Sequence, residues 1–316
     1  MIEAEGLTKR YGPKTAVDDL DFVVRPGVVT GFLGPNGSGK STTMRLLLGL
    51  DRPNAGESLI NGRSYVDLPA PLREVGALLE ARAVHTGRSA RNHLRAMAAT
   101  NHIPRARVDE MLGLVGLEDV ADQRVGRFSL GMGQRLGIAA ALLGDPGVLL
   151  LDEPINGLDP EGILWVRTLL QGLAAEGRTV FVSSHLMSEM AVTATELIVV
   201  GRGRLITSGS VDELVRGASG GAVRVRTSEA DQITALLSGE AHEVIRLNAD
   251  TLRITGVDST AVGLVAARAG IPLIELTPEQ ATLEEAFMEI TRDTVEFHAR
   301  AAASAETPVS PAGGSR

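Results

Sequence analysis

The sequence predicts an α/β protein built in two parts. Short apolar segments suited to buried strands alternate with helical segments over residues 1–216, which is typical of a largely parallel sheet covered by helices. A glycine-rich loop at 34–42 stands between one such strand and a helix. After the Gly- and Ser-rich stretch 217–221 the strand and helix pattern starts again, which indicates a linker and a second, smaller domain over 222–292.

The larger part begins with strand-like alternation and continues with helices between strands. Residues 1–33 alternate, and Leu20, Phe22 and Val24 share one face. Residues 87–143 are expected to form a mainly helical subdomain, and a helix is expected at about 162–176. Buried strands are predicted at 28–33, 148–151, 179–182, 196–200 and 204–207. A capping box of Ser210 and Glu213 opens a last helix.

The smaller part has a β-α-β-β-α-β order, which predicts a ferredoxin-like α+β domain. A final helix at about 283–291 begins with the capping box Thr282 and Glu285. The Ala-, Ser- and Pro-rich residues 300–316 are predicted to be a disordered tail. The predicted strands lie at 222–226, 243–247, 251–254 and 271–276, and the helices between them at 229–237 and 260–269.

Composition excludes several classes of function. A formal net charge of −8 argues against a nucleic-acid partner, which usually requires a basic face. The absence of cysteine excludes disulfides, thiolate metal sites and cysteine nucleophiles. We see no apolar signal segment and no run approaching 18 apolar residues, so we expect a chain that is soluble or reaches a membrane only through a partner.

The loop after the strand at 28–33 matches the pattern G-x-x-x-x-G-K-[ST], in the strand–loop–helix context that a phosphate-binding P-loop requires. Lys40 is expected to reach the β- and γ-phosphates, and the Ser41 hydroxyl to bind Mg²⁺. The alternative is a simple glycine-rich turn. The chain has only three lysines, and one of them lies in this loop. The loop residues are Gly34, Pro35, Asn36, Gly37, Ser38, Gly39, Lys40, Ser41 and Thr42.

Two adjacent carboxylates follow the apolar strand at 148–151, at the strand end where ligands bind in open α/β sheets. Asp152 is a candidate ligand of Mg²⁺, and Glu153 is placed to accept a proton from an attacking water. The alternative is a solvated acidic turn. Ser129 opens a helix whose free N–H groups could meet an anion, although a plain helix cap explains it equally well.

These motifs together resemble the ATP-binding subunit of an ABC transporter over residues 1 to about 215. The resemblance implies that two such domains pack head to tail, with each ATP between one P-loop and the other copy's Ser129 segment. The five motifs occur in the family's order: the P-loop, the segment 129–135, Asp152-Glu153-Pro154, the segment 156–159, and His185 after 180–184.

The resemblance also implies roles for single residues. Tyr11 would stack on adenine, Ser129 and Gly131 would meet the γ-phosphate across the dimer, and Asp159 would link the two sites. His185 would hydrogen-bond the γ-phosphate and assist catalysis by Glu153 and Lys40. The alternatives are a half-buried surface tyrosine and a structural histidine. The remaining histidines are taken as ordinary residues: His85, His93, His102, His242 and His298.

Two departures from the family pattern indicate a subgroup. Met132 replaces the signature glutamine, and Glu80 stands nearest to the usual lining glutamine, where its carboxylate could reach Mg²⁺. With the C-terminal stretch 281–287, they resemble the ATPases of daunorubicin- and bacitracin-resistance exporters. That implies a separate membrane permease and a place on the cytoplasmic face of the membrane. The alternative is a soluble ABC ATPase that acts on ribosomes or DNA.

Overall fold

The computed structural model describes residues 1–80, 83–218, 222–237, 243–279 and 282–295. The tail predicted at 300–316, residues 219–221 of the predicted linker, His242 and His298 lie outside the described residues. The strands are β1 (Ile2–Tyr11), β2 (Lys14–Val24), β3 (Val29–Leu33), β4 (Ala55–Ile60), β5 (Val75–Leu78), β6 (Val148–Asp152), β7 (Thr179–Ser183), β8 (Glu196–Gly201), β9 (Arg204–Ser210), β10 (Ala222–Arg226), β11 (Glu243–Arg246), β12 (Thr251–Thr255) and β13 (Glu275–Glu279). The helices are α1 (Lys40–Leu47), α2 (Pro71–Glu74), α3 (Ala90–Thr100), α4 (Arg105–Leu114), α5 (Leu130–Leu142), α6 (Pro160–Ala175), α7 (Met187–Thr193), α8 (Val211–Ala218), α9 (Ala230–Leu237), α10 (Ser259–Ala269) and α11 (Leu283–Val295).

A six-stranded sheet forms the centre of the N-terminal part, residues 1–218. Its strand order is β5-β6-β7-β3-β8-β9, in which all neighbours are parallel except the edge pair β8–β9. Every residue of β3 and β7 is buried, so both faces of these central strands are covered, as is typical of a parallel sheet. The register places Asp152 of β6 beside Ser183 of β7, so the carboxyl ends of the central strands meet at one edge.

A second, antiparallel sheet with the order β2-β1-β4 covers one face of this central sheet. Three phenylalanines join the two sheets: Phe22 lies on β2, Phe32 on β3 and Phe181 on β7, with ring centroids 5.0–5.9 Å apart. The chain has only six phenylalanines, so half of them are in this one contact. The contact fixes β2 against the central sheet.

The helical subdomain packs around the buried helix α5, whose residues share a core with α3, α4 and the central sheet. Arg135 of α5 places its guanidinium carbon 5.4 Å from the ring centroid of Trp165 on α6, and it donates to the Val115 carbonyl. Trp165 is the single tryptophan of the chain. Arg135 therefore connects α5 both to α6 and to the end of α4.

The C-terminal part, from residue 222 onward, has the predicted β-α-β-β-α-β order. Its four strands form an antiparallel sheet with the order β11-β12-β10-β13, and its core is closed by α9 and α10. Helix α11 instead returns to the N-terminal part, where Leu283 and Phe287 join the large core beside α7 and α8. Among the described residues, no helix is both long and apolar enough to cross a bilayer.

Several elements differ from the sequence prediction. Strands β4 and β5 and helices α2 and α7 were not predicted, because each is short and lacks a clear hydrophobic period. Strand β13 occupies 275–279 rather than the predicted 271–276. Its pairing is set by β10, which aligns Arg226 with Glu275 and Ala222 with Glu279. Pro278 is tolerated there because β13 is an edge strand.

Candidate active site

A cavity of about 580 Å³ opens where the central strands end, and it brings together most of the predicted site residues. This size lies within the range of about 300–1,000 Å³ that is typical of small-molecule sites. The P-loop, the end of β6 and the start of β2 form its walls. It is lined by Tyr11, Lys14, Ala16, Asn36, Gly37, Gly39, Lys40, Ser41, Thr42, Asp152, Glu153, Asn156 and His185.

The shape of the loop depends on glycine at two positions. Gly39 has φ +106°, and a Cβ there would stand 2.4 Å from the Ala16 carbonyl oxygen. A Cβ on Gly34 would stand 2.4 Å from the Val200 carbonyl oxygen. Helix α1 begins immediately afterwards at Lys40 with no side-chain cap, so its first N–H groups and its dipole face the cavity. The local structure is thus a cradle for an anion.

Lys40 carries the positive charge of this cradle. It is 8% exposed, and its ammonium donates to the carbonyl oxygens of Gly34 at 2.7 Å and Pro35 at 3.3 Å. Burial lowers the pKa of Lys40, while the nearby carboxylates of Glu153 and Asp152 oppose that shift. The desolvated cation is suited to bind a multiply charged anion, and the two carboxylates beside it are suited to bind a divalent cation.

The carboxylate pair is fixed by the end of β7. Ser183 donates its hydroxyl to Asp152 Oδ1, and the Glu153 N–H donates to the Ser183 hydroxyl oxygen at 3.0 Å. Glu153 has φ +51°, a left-handed conformation that is strained for a residue with a side chain. His185 Nδ1 lies 2.7 Å from Glu153 Oε2. The structure therefore pairs the predicted base directly with the predicted histidine.

Tyr11 stands at the rim of the cavity and is 46% exposed. Its hydroxyl donates to Asp51 Oδ2 at 2.9 Å, and the Lys9 ammonium lies 5.1 Å from its ring centroid. Partial burial, and then the Asp51 carboxylate, raise the pKa of Tyr11. The ring is anchored at its polar tip, which leaves an exposed aromatic surface at the mouth of the site.

Three predicted site residues lie elsewhere. Ser129 caps α5 by accepting from the Met132 N–H at 3.2 Å, and it lines a separate cavity of about 350 Å³. Gly131 packs against the loop after β6, where an added Cβ would stand 3.0 Å from the Gly157 carbonyl oxygen. Glu80 is exposed just beyond β5 and does not line the main cavity. Gly34, Pro35 and Ser38 shape the loop without lining that cavity.

Three lining residues have no role predicted from the sequence. Lys14 and Ala16 belong to β2, and Asn156 follows the carboxylate pair. Two of them could have been noticed in the sequence. Lys14 is one of only three lysines, and Asn156 lies in the segment 156–159. Ala16 could not be noticed, since its part in the site comes from its carbonyl oxygen beside Gly39.

Comparison with known proteins gives the family. The ABC transporter family profile matches residues 17–156, and a domain family of unknown function matches residues 221–284. An uncharacterized ABC transporter ATP-binding protein of Bacillus subtilis is 36% identical over 301 residues, which cover 94% of this chain and 97% of that protein. The daunorubicin resistance ATP-binding protein of Streptomyces coeruleorubidus is 34% identical over 303 residues, covering 92% and 96%.

Further matches cover the N-terminal part. The bacitracin transport ATP-binding protein of Bacillus licheniformis is 42% identical over 217 residues, covering 68% of this chain and 71% of that protein. The solved ATP-binding subunit of an ABC transporter superimposes with a TM-score of 0.64 at 27% identity, covering 69% and 92%. A dimeric bacterial ABC transporter cassette gives a TM-score of 0.62 at 25% identity, covering 67% and 99%. The chain is therefore an ABC ATPase, a member of the ATP-binding proteins of ABC transporters.

Proposed function

We propose that this chain binds and hydrolyses ATP to energise a separate membrane permease that exports drugs or antibiotics. The observation that carries the proposal is that one cavity brings together the buried Lys40 ammonium, the uncapped start of α1 and the pair of Glu153 and His185. The export of a drug or antibiotic is supported by relatives named for bacitracin transport and daunorubicin resistance.

The residues of the cavity fit a nucleotide with its metal ion. The loop 34–42 and the α1 N-terminus offer N–H groups to the phosphates, and the exposed Tyr11 ring offers a surface for adenine. Ser41 and Asp152 supply the hard oxygen ligands that Mg²⁺ prefers. Bound there, Mg²⁺ would neutralise charge on the β- and γ-phosphates. Glu80 follows β5, the strand that pairs with β6, and its carboxylate remains a proposed contact of Mg²⁺.

Glu153 is the proposed general base. Its carboxylate would accept a proton from the water that attacks the γ-phosphate in line, while His185, 2.7 Å from Glu153 Oε2, orients that carboxylate and contacts the γ-phosphate. Lys40 would stabilise the charge that develops on the transferred group. The same residues thus bind the ground state and stabilise the transition state.

The site is proposed to be completed by a second copy. Ser129 and Gly131 lie outside the cavity of their own chain, which agrees with a role at the partner's γ-phosphate. One solved relative is a dimeric cassette. The permease would hold the dimer at the cytoplasmic face of the membrane. The alternative of an ATPase acting on ribosomes or DNA is not favoured, because relatives are named for bacitracin transport, lantibiotic transport and daunorubicin resistance.

The test is the Glu153→Gln variant of the full chain. Its ATP hydrolysis should fall by a factor on the order of 10²–10⁴, because the amide cannot accept the proton, while its affinity for ATP stays near that of the wild type. Glu161→Gln, an exposed carboxylate at the start of α6, is the matched control. Normal turnover by Glu153→Gln would contradict the assignment.

ATP-dependent drug uptake into inside-out vesicles with the co-purified permease tests the transport step.

A further inference from the structure

Gln134 is a buried polar residue on α5, a helix that also begins with the Ser129 cap. It is 5% exposed, and its amide Nε2 donates to the backbone carbonyl oxygen of Glu153 at 2.9 Å. The contact joins the helical subdomain directly to the residue proposed as the base. It lies behind the cavity rather than in it, so Gln134 does not line the nucleotide site.

The Glu153 backbone is held from both sides. Its N–H donates to the Ser183 hydroxyl oxygen at 3.0 Å, and its carbonyl oxygen accepts from Gln134 Nε2 and from the Asn156 N–H at 3.2 Å. These bonds fix the peptide units around a residue whose φ of +51° is unfavourable. A residue in that conformation stays there only when its surroundings determine it.

The carbonyl oxygen of the Gln134 amide makes no comparable hydrogen bond in the part of the chain that the structure describes. This atom, Oε1, is buried and has no hydrogen-bond partner among the described residues. An unsatisfied buried acceptor destabilises the folded state, and an apolar side chain of similar size would avoid that penalty. Packing alone therefore does not account for a glutamine here, whereas the bond from Nε2 does.

We propose that Gln134 is a positioning residue for hydrolysis, which holds the Glu153 peptide so that the carboxylate stays aimed at His185 and the γ-phosphate. The inference rests on the proposed function of Glu153 as the base. Loss of the Nε2 bond lets the turn after β6 relax and moves the Glu153 carboxylate. Because α5 also starts at Ser129, a shift of this helix on contact with the partner copy reaches Glu153 through the same bond.

The first test is Gln134→Met in the full chain, which keeps the side-chain length and removes the donor. Its kcat for ATP hydrolysis should fall about ten- to hundredfold, as expected for a misplaced catalytic group, with KM for ATP and nucleotide affinity unchanged. The matched control is Leu136→Met, a buried residue of the same helix without a bond to Glu153. A kcat for Gln134→Met within twofold of the Leu136→Met value overturns the proposal.

The second test is Gln134→Glu, followed as its rate relative to wild type across pH. The buried glutamate has a raised pKa, and only its protonated form can donate to the Glu153 carbonyl oxygen. The relative rate should therefore be high while the glutamate is protonated and fall severalfold as the pH rises through its raised pKa, which a scan from pH 6 to about pH 9.5 covers. A ratio that does not fall over this range overturns the proposal even if Gln134→Met does not fold.

The two proposals fail in different ways. If the Glu153→Gln variant hydrolyses ATP normally, Glu153 is not the general base, and Gln134 then has no catalytic group to position. Glu153→Gln without hydrolysis, together with a normal Gln134→Met, leaves the base in place and overturns only the role of Gln134.

Discussion

At the scale of the residue, Glu153 combines the carboxylate proposed as the general base with an unfavourable backbone conformation. Its φ of +51° is common for glycine and costs other residues about 1–2 kcal/mol. The substitution Glu153→Gly should therefore give a free energy of unfolding about 0.5–1 kcal/mol higher than Glu153→Ala, although both variants lack the carboxylate. Urea denaturation of the two variants measures this difference.

The control for that comparison is Glu110, an exposed residue inside α4. There Glu110→Gly should be less stable than Glu110→Ala by about 1 kcal/mol, because glycine is a poor helix former. The same order at both positions would show that the conformation of Glu153 carries no strain. Strain at this position would mean that the conformation which places the Glu153 carboxylate in the site lowers the free energy of unfolding of the domain.

His93, a half-buried residue of α3, should make stability depend on pH. Burial, and then the positive charge of Arg88, lower the pKa of His93 below the ordinary value of 6.5. As the pH falls below 6.5, the unfolded chain takes up a proton that the folded chain does not, so the free energy of unfolding decreases until the folded pKa is passed. Between pH 7 and pH 5, His93→Gln should lose less stability than the wild type in thermal unfolding. Equal losses in the two proteins would contradict this assignment.

At the scale of the element, α11 is a C-terminal helix that stabilises the N-terminal part. Phe287 is 8% exposed and belongs to the large core, whereas its neighbour Met288 is 59% exposed. Phe287→Ala should lower the free energy of unfolding by about 3 kcal/mol, as expected when a buried aromatic ring is removed. Met288→Ala, on the outer face of the same helix, should change it by less than about 0.5 kcal/mol. Chemical denaturation of both variants checks the prediction, and a similar small effect for each would show that α11 is not docked in solution.

The elements that could be predicted from sequence are those whose signal is local. The strand β6 and the loop after β3 were found because an apolar run or a glycine pattern defines each one. The docking of α11 could not be found, since Leu283 and Phe287 form an apolar face whose partners are distant in sequence. The shift of β13 is of the same kind, because its register is fixed by β10.

The candidate site divides in the same way. Side chains that are proposed to act through their own chemistry, such as Lys40 and Glu153, could be predicted from residue type and spacing. Ala16, whose part in the site depends on its carbonyl oxygen, has no sequence signature, and Gln134 lies in the segment 129–135 but could not be linked to Glu153 from the sequence. Their positions depend on how β2 and α5 pack against the P-loop and the end of β6.

At the scale of the whole molecule, the proposed dimer makes a charge-specific prediction at Ser129. Asp and Asn both cap helices well, so Ser129→Asp and Ser129→Asn should each keep the start of α5. The aspartate alone places a negative charge against the partner's γ-phosphate. In the Glu153→Gln background, MgATP should produce a dimer on size-exclusion chromatography with Ser129→Asn and a monomer with Ser129→Asp. Dimers in both cases would contradict a role for this segment at the phosphate.

The Arg135–Trp165 contact provides an intrinsic fluorescence probe at the boundary between α5 and α6. Trp165 is the single tryptophan, so all indole emission comes from the boundary between α5 and α6. A guanidinium over the ring influences that emission, and any movement of α5 relative to α6 alters it. Stopped-flow fluorescence of unlabelled wild-type protein, with Trp165→Phe as the reference without tryptophan, would report any movement of α5 relative to α6 during the proposed nucleotide binding and dimer closure.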